Sequence, residues 1–468
     1  MFMRRFRNIF GGMVAALMVV SGALVQAEER LPNIILIFID DQGYQDLGCY
    51  GSPIVKTPNL DRMAREGTRF TDFYALAPIC SASRAALLTG CYPARVGITG
   101  VLFPRHRVGL NPDEWSIARL LKTRDYATAC IGKWHLGHHS KFLPTNHGFD
   151  QFYGLPYSND MDPVKGMGKG RDLAWRERDV TPWNVPLMRD TVIVERPAQQ
   201  GTLTKRYTEE AVQFVESNAE KPFFLYLPHT MPHIPLFVSD EFYDPDPMNA
   251  YAATIAEIDW SVGKVLEAVE RLGLDEETLV VYTSDNGPWL SMKHHGGSAL
   301  PLRDGKFSTY EGGMRVPCIM RWPGRIPAGR VAREIGASID LLPTFAHLAG
   351  IELPTDRVID GANIASWIQG QSSSPREELF YYKGEKVQAV RKGPWKLNLA
   401  RVQKRRNRPD IATPASLHYL PDDISEAKNV IEENSAVAEQ LSMAASLFDQ
   451  SLRDQSRLVG SLEPWSDE

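Results

Sequence analysis

The sequence predicts a large α/β sandwich built on a mostly parallel or mixed sheet, followed by a smaller α+β unit with an antiparallel sheet. Three observations predict it. Apolar, β-branched runs such as PNIILIFI (32–39), PFFLYL (222–227) and TLVVYTS (278–284) read as strands buried on both faces. Helical patterns lie between them, the arrangement of strand–helix–strand units around a parallel sheet. After residue 350 the texture changes to short strand-like stretches joined by Lys-Gly turns.

In chain order, the first strand ends in Asp40 and Asp41. Thr57 caps a helix with Pro58 at its first position, apolar residues at Leu60, Met63 and Ala64, and Gly67 as its stop. RFTDFYAL (69–76) is strand-like, and Ser81 to Leu88 reads as a short helix closed by Gly90. Residues 116–123 form a helix and YATACI (126–131) a strand, while glycines and prolines make 137–200 a long loop region. An amphipathic helix over 203–217, a long helix over 249–271, a fourth parallel-type strand VPCIMRW (316–322) and a helix over 338–350 complete the first unit.

Gln371 to Pro375 is a polar, serine-rich break. Beyond it LFYYKG, KVQAVRKG, PWKLNLA and LHYL (417–420) read as antiparallel strands, 402–410 as a basic surface loop and 434–453 as a helix. The expected division is a catalytic unit at 28–368 and a C-terminal α+β unit at 369–468. Residues 1–27 read as a cleaved export signal. Arg4, Arg5 and Arg7 precede a small-residue apolar stretch, and Val25 and Ala27 suit a signal peptidase site. Removing the three arginines takes the net charge from −5 to −8. The expected location is therefore periplasmic or secreted, with no stable membrane insertion.

The chain has 468 residues, 43% of them hydrophobic and 23% charged, enough for a sizeable core. A mildly acidic protein is a poor nucleic-acid binder, and no repeat marks a fibrous or disordered chain. Cys49, Cys80, Cys91, Cys130 and Cys318 show no CxxC spacing, which argues against zinc and thioredoxin-like sites. Their odd number leaves one cysteine free, intermolecular or chemically altered.

The chemistry-bearing residues sit at strand ends. Asp40 and Asp41 end one strand, and Asp285 and Asn286 end another, where open parallel sheets place ligands. Adjacent acids repel unless a cation lies between them. An all-oxygen donor set suits a hard divalent ion, calcium in particular. CSASR places Cys80 at a helix start with Arg84 one turn on. Cys80 alone also fits a buried structural thiol or a thiolate nucleophile. GKWHLG supplies Lys133 and His135, the loop after PFFLYL supplies His229 and His233, and GKFSTYEGG supplies Lys306. Cationic and imidazole groups around an oxygen-bound cation suit an oxyanion, so phosphate and sulfate esters are the expected substrates.

These motifs, in this order, resemble those of the type I sulfatases, the arylsulfatase A-like branch of the alkaline phosphatase superfamily. The likeness covers nearly the whole chain after residue 27. CSASR is the Cys-x-Ala-x-Arg form of the family's signature. The resemblance implies an alkaline phosphatase-like fold and a sulfuric ester hydrolase. It implies that a separate maturation enzyme oxidises Cys80 to formylglycine, whose hydrate attacks sulfur and forms a covalent sulfate intermediate. It implies Ca2+, with Mg2+ the weaker alternative, on Asp40, Asp41, Asp285 and Asn286. Arg84 and Lys133 would orient the nucleophile and the sulfate, and His135 would help release the sulfate. His233 and Lys306 would contact the sulfate and the leaving oxygen. Ser158 matches a pocket serine, and His229 is the runner-up histidine, for the substrate rim.

The nearest alternative is a phosphonate or phosphate ester hydrolase on the same fold. A decayed glycan-binding relative or a structural protein would not need every motif residue. A sulfated carbohydrate is the expected substrate, with Trp183 as a sugar contact and Tyr157, Trp175 and Arg189 beside it in the insert over 157–190. His418 and Lys386 are candidates for a rim contributed by the C-terminal unit. Each of these also fits ordinary packing.

Overall fold

A computed structural model of the chain describes residues 30–404 and 410–462. The export signal expected at 1–27 lies outside them, as does part of the basic stretch 402–410. At the centre, Asn33–Ile39 is buried along its whole length between two parallel neighbours, Phe223–Pro228 and Thr278–Ser284. Ala127–Ile131 and Gln151–Gly154 continue the parallel series, and the short strands Leu187–Arg189 and Val192–Glu195 finish that side antiparallel. On the other side come Arg315–Arg321, Thr68–Tyr74 and Arg330–Ala332, within one eleven-stranded sheet.

VPCIMRW is a strand, but it runs antiparallel to both neighbours rather than parallel. An apolar run buried on both faces carries no information about direction. Here the chain leaves Ser284, builds the loop over 285–314 at that edge of the sheet, and returns without a crossover. The loop region 137–200 also holds more regular structure than expected, including the helix Arg171–Glu177 and three short strands.

Helices pack both faces. Pro58–Glu66, Leu203–Ser217 and Ala250–Arg271 cover one apolar layer, while Cys80–Thr89, Ile117–Lys122 and Leu341–Leu348 cover the other. Thr57 does not cap its own helix. Its hydroxyl donates to Asp61 and accepts from the Gly48 N–H instead, bracing the preceding turn. Gly67 ends the helix in extended backbone, and a Cβ there would meet the Met320 carbonyl at 2.2 Å, which leaves room only for glycine.

The C-terminal strands form the expected antiparallel sheet, in the order Glu378–Lys383, Lys386–Lys392, Trp395–Asn398 and Ser416–Tyr419. The helix Ser435–Asp454 lies over it, with Phe448 stacked on Phe380 at 4.0 Å. A buried polar hub ties this sheet to the large one. Glu311 accepts from Tyr74 at 2.6 Å and Tyr381 at 2.8 Å and pairs with Lys396 at 2.9 Å. Burial opposes the charge, but Lys396, Arg315 and Arg391 hold the Glu311 carboxyl far below its usual range.

Candidate active site

The register of the three central strands brings the acidic strand ends together. Ile39 lies beside Ser284, so Asp40 and Asp41 emerge next to Asp285 and Asn286. The Asp41 N–H donates to Asp285 Oδ1 at 3.1 Å, and Asn286 Nδ2 donates to Asp41 Oδ1 at 2.7 Å. All four residues are buried. Asp41 has φ +63°, a left-handed conformation that Asp tolerates better than most residues and that recurs at functional sites.

Cys80, first residue of the helix Cys80–Thr89, faces this group. Its thiol donates to Asp40 Oδ1 at 3.2 Å and lies 4.0 Å from Asp41 Oδ1. Burial, reinforced by the Asp40 charge, pushes the Cys80 thiol far above its ordinary range. Reactive thiolates need the opposite environment, so an unmodified thiolate nucleophile does not fit. One turn on, Arg84 donates from Nε and Nη2 to Asp285 Oδ2 at 3.1 and 3.0 Å, and from Nη1 to the Lys133 carbonyl at 2.8 Å.

Cations surround the acids. Lys133 pairs with Asp40 and lies 3.1 Å from Ser158 Oγ. Lys306 donates to Asp41 Oδ2 at 2.6 Å. Burial alone would push Lys306 down, but Asp41 and its neighbours outweigh it and hold the ammonium charged. Burial likewise opposes the Asp40 charge, yet Lys133, His233, Arg84 and Lys306 keep its carboxyl well below the usual range. Asp285 moves the other way, to about 7, because burial and the Asp40 charge outweigh Arg84.

The two histidines present different faces. His135, at φ +61°, pairs through Nε2 with the Leu102 carbonyl at 2.9 Å. A carbonyl only accepts, so Nε2 carries the hydrogen and the buried Nδ1, with no partner among the described residues, keeps a lone pair. Burial, then Lys133 and Arg84, push this imidazole well below its normal pKa. His233 Nδ1 lies 2.7 Å from the Ile234 carbonyl, which turns Nε2 toward Asp41 at 3.6 Å. Burial and Lys306 take His233 down to about 4.

Buried Asn286 Oδ1 has no hydrogen-bond partner among the described residues. With the carboxylates of Asp40, Asp41 and Asp285 it makes a set of oxygen donors that fits a hard divalent cation. Asp40, Asp41, Cys80 and His233 each offer an atom within 4.8 Å of the others, so the nucleophile position borders the metal-binding cluster.

The family model for sulfatase matches residues 32–351, and that for the C-terminal part of N-sulphoglucosamine sulphohydrolase matches 303–451. The chain belongs to the type I, formylglycine-dependent sulfatases. This sulfatase is 41% identical over 384 residues to human (Homo sapiens) arylsulfatase A, covering 79% of this chain and 75% of that protein. It is 41% identical over 382 residues to N-acetylgalactosamine-6-sulfatase of Canis lupus familiaris, covering 78% and 71%. Among solved structures it resembles Ps i-CgsB in complex with k-i-k-neocarrahexaose, with a TM-score of 0.76, 32% identity and coverage of 90% and 93%. The sulfatase fold therefore extends over the C-terminal sheet as well.

The residues expected at the rim stand in different surroundings. His229 in this sulfatase is fully buried, with Nε2 3.3 Å from Ser261 Oγ and its ring near Tyr207, so it braces the helices beneath the sheet edge. Trp175 is buried and donates to the Asp244 carbonyl, and exposed Arg189 pairs with Glu210. His418 is buried between Asp423 and Ser416. Tyr157 is buried with its ring edge-on to His138. Trp183 is half-buried against Phe237.

Two site residues escaped the sequence reading. Asn159 lies 3.2 Å from His233 Nδ1 through Oδ1 and holds its own amide on Gln200 and the Pro235 carbonyl. Trp289 places its ring 5.7 Å from that of His233 and 4.4 Å from Lys306 Nζ. Their positions, one after Ser158 and four after Asp285, were the available signal.

Proposed function

We propose that this sulfatase removes sulfate from a sulfated carbohydrate, with Cys80 matured to formylglycine and Ca2+ held by Asp40, Asp41, Asp285 and Asn286. The observation that carries this reading is the contact of Cys80 Sγ with Asp40 inside a cluster of buried oxygen donors. The carbohydrate reading is supported by the likeness to an N-acetylgalactosamine-6-sulfatase and to a structure holding an oligosaccharide.

When present, the aldehyde hydrate supplies a hydroxyl nucleophile with a second hydroxyl on the same carbon, and the cation stabilises charge on the sulfuryl oxygens. The chain's own groups do the rest. Arg84 and Lys133 position residue 80 through Asp285 and Asp40. Lys306, held charged, stands beside the leaving oxygen as donor and counter-charge. His233 exchanges a proton there from Nε2, since Nδ1 is engaged by the Ile234 carbonyl. His135 accepts a proton on its free Nδ1 as sulfate departs. Ser158, between Lys133 and His233, fixes their spacing. Trp183 would act on sugar choice from the insert.

The same reading makes 1–27 an export signal, with a periplasmic or secreted enzyme divided into 28–368 and 369–468. A maturation enzyme is then an obligatory partner. Among the described residues no helix is long and apolar enough to cross a membrane. The test is peptide mass spectrometry across residue 80, combined with turnover of 4-nitrophenyl sulfate and 4-nitrophenyl phosphate. An oxidised residue 80 and preference for the sulfate are expected. Full activity with an intact thiol, or a clear preference for the phosphate, would overturn the assignment.

A further inference from the structure

Beyond the anion cage, a cleft of about 670 Å³ opens between the 304–310 loop and the C-terminal strands. Phe307 and Tyr310 line one wall, and Lys383, Lys386 and Arg401 the other, with Asp304 the acid of the lining loop. Lys383 donates to the Phe307 carbonyl at 2.6 Å. Burial and the Arg401 charge push Lys383 down, a mark of like charges held close. The Arg401 guanidinium lies 5.4 Å over the Tyr310 ring, and its enclosed Nη1 has no hydrogen-bond partner among the described residues. None of these three cations forms an ion pair with a carboxylate among the described residues.

The cleft adjoins the cage. Lys306 reaches Asp41, and its sequence neighbour Phe307 lines the cleft. The Phe307 ring, on a residue 38% exposed, meets the Trp289 ring at 5.5 Å, and Trp289 meets His233 at 5.7 Å. An aromatic shelf thus runs from the cage to the cleft, offering an apolar surface to a sugar face. Cations gathered in a concave lining, with Asp304 beside them, focus a field suited to an anion.

We propose that this cleft is a second anion site for the same substrate. While one sulfate occupies the cage, Lys386 and Arg401 hold a neighbouring sulfate or carboxylate of the same oligosaccharide across the Trp289–Phe307 shelf. The inference rests on the sulfated-carbohydrate reading and narrows it to chains with more than one anionic group.

The test is isothermal titration of the full, matured protein with three tetrasaccharide probes. These are a carrageenan tetrasaccharide with a single sulfate in all, one with a second sulfate on the adjacent sugar, and a chondroitin tetrasaccharide with a single 6-sulfate, whose further anions are carboxylates. The wild type should bind at least one of the two multiply charged probes tenfold or more tightly than the singly sulfated one. K386Q/R401Q should lose most of that preference. Comparing the second and third probes tells a sulfate from a carboxylate partner. Equal binding of all three by the wild type, or an unchanged preference in the double variant, would overturn the proposal. Turnover of 4-nitrophenyl sulfate is measured separately. A protein that shows the preference but hydrolyses no sulfate ester fails the hydrolase reading and not this one.

Discussion

The backbone N–H of Asp41 donates to Asp285 Oδ1 at 3.1 Å, joining two strand ends separated by 244 residues of sequence. That bond fixes the acids from two distant segments in one cluster. Residue 80 meets the cluster from the first position of the helix Cys80–Thr89.

Replacing the nucleophile position should remove catalysis while leaving the fold. Cys80→Ser keeps a small polar group beside Asp40 but offers no aldehyde to hydrate. Turnover of 4-nitrophenyl sulfate is expected to fall by about 10³-fold or more, with Tm near the wild-type value by calorimetry. Activity within tenfold of wild type would contradict the role of residue 80.

Removing His135's free Nδ1 should slow the reaction without loosening the metal-binding cluster. His135→Ala is expected to lower kcat by about 10²–10⁴-fold, the usual span for a general base. Calcium titration followed by Tm should stay at the wild-type midpoint. A matching loss of calcium affinity would assign His135 to the cluster instead.

Chelation should destabilise the protein. A cation held by four buried oxygens stabilises the folded state by about 2.7 kcal/mol at 100 times Kd. For a chain of this size that amounts to a Tm shift of about 3 °C. Adding EGTA should lower Tm by that order, and calcium should restore it. Identical melting curves with and without chelator would argue against a resident ion.

Gly287 follows Asn286 directly, and a Cβ there would meet the Gly312 carbonyl at 1.8 Å. Gly287→Ala should push the loop that carries Asn286 off the Glu311–Met314 turn. A destabilisation of about 1–3 kcal/mol is expected in denaturant titration, the range for overpacking. Sulfatase activity should fall with it.

Glu257, buried in the long helix, has its pKa raised to about 7, chiefly by burial, while Oε2 accepts from the Ser239 N–H at 3.2 Å. The folded state therefore binds its proton more tightly than the unfolded state. Its contribution is fully present below the ordinary glutamate pKa near 4.5 and is lost as pH rises through about 7. Glu257→Gln should raise stability at pH 8 relative to wild type and have little effect at pH 4. An unchanged difference between the two proteins across that range would contradict the shift.

Much of the chemistry was legible in the chain itself. Asp40, Asp41, Asp285 and Asn286 follow apolar runs long enough to read as buried strands, and Cys80, Lys133, His135 and Lys306 lie in distinctive local motifs. His233 was separated from His229 only by the family's spacing, because two histidines in one proline-rich loop look alike. Their environments distinguish them: one reaches Asp41, while the other is enclosed by Ser261 and Tyr207.

The sequence alone determined the long central strands and main helices of the large unit, the antiparallel C-terminal sheet and the identity of the acids and cations, because apolar period and residue type are local properties. Tertiary structure alone decided the reversed direction of Arg315–Arg321, the placing of Asn159 and Trp289 against His233, and the Glu311 hub. It also opened the cationic cleft beside Phe307. These depend on which distant segments share a sheet edge, and a run of apolar residues encodes neither its neighbour nor its direction.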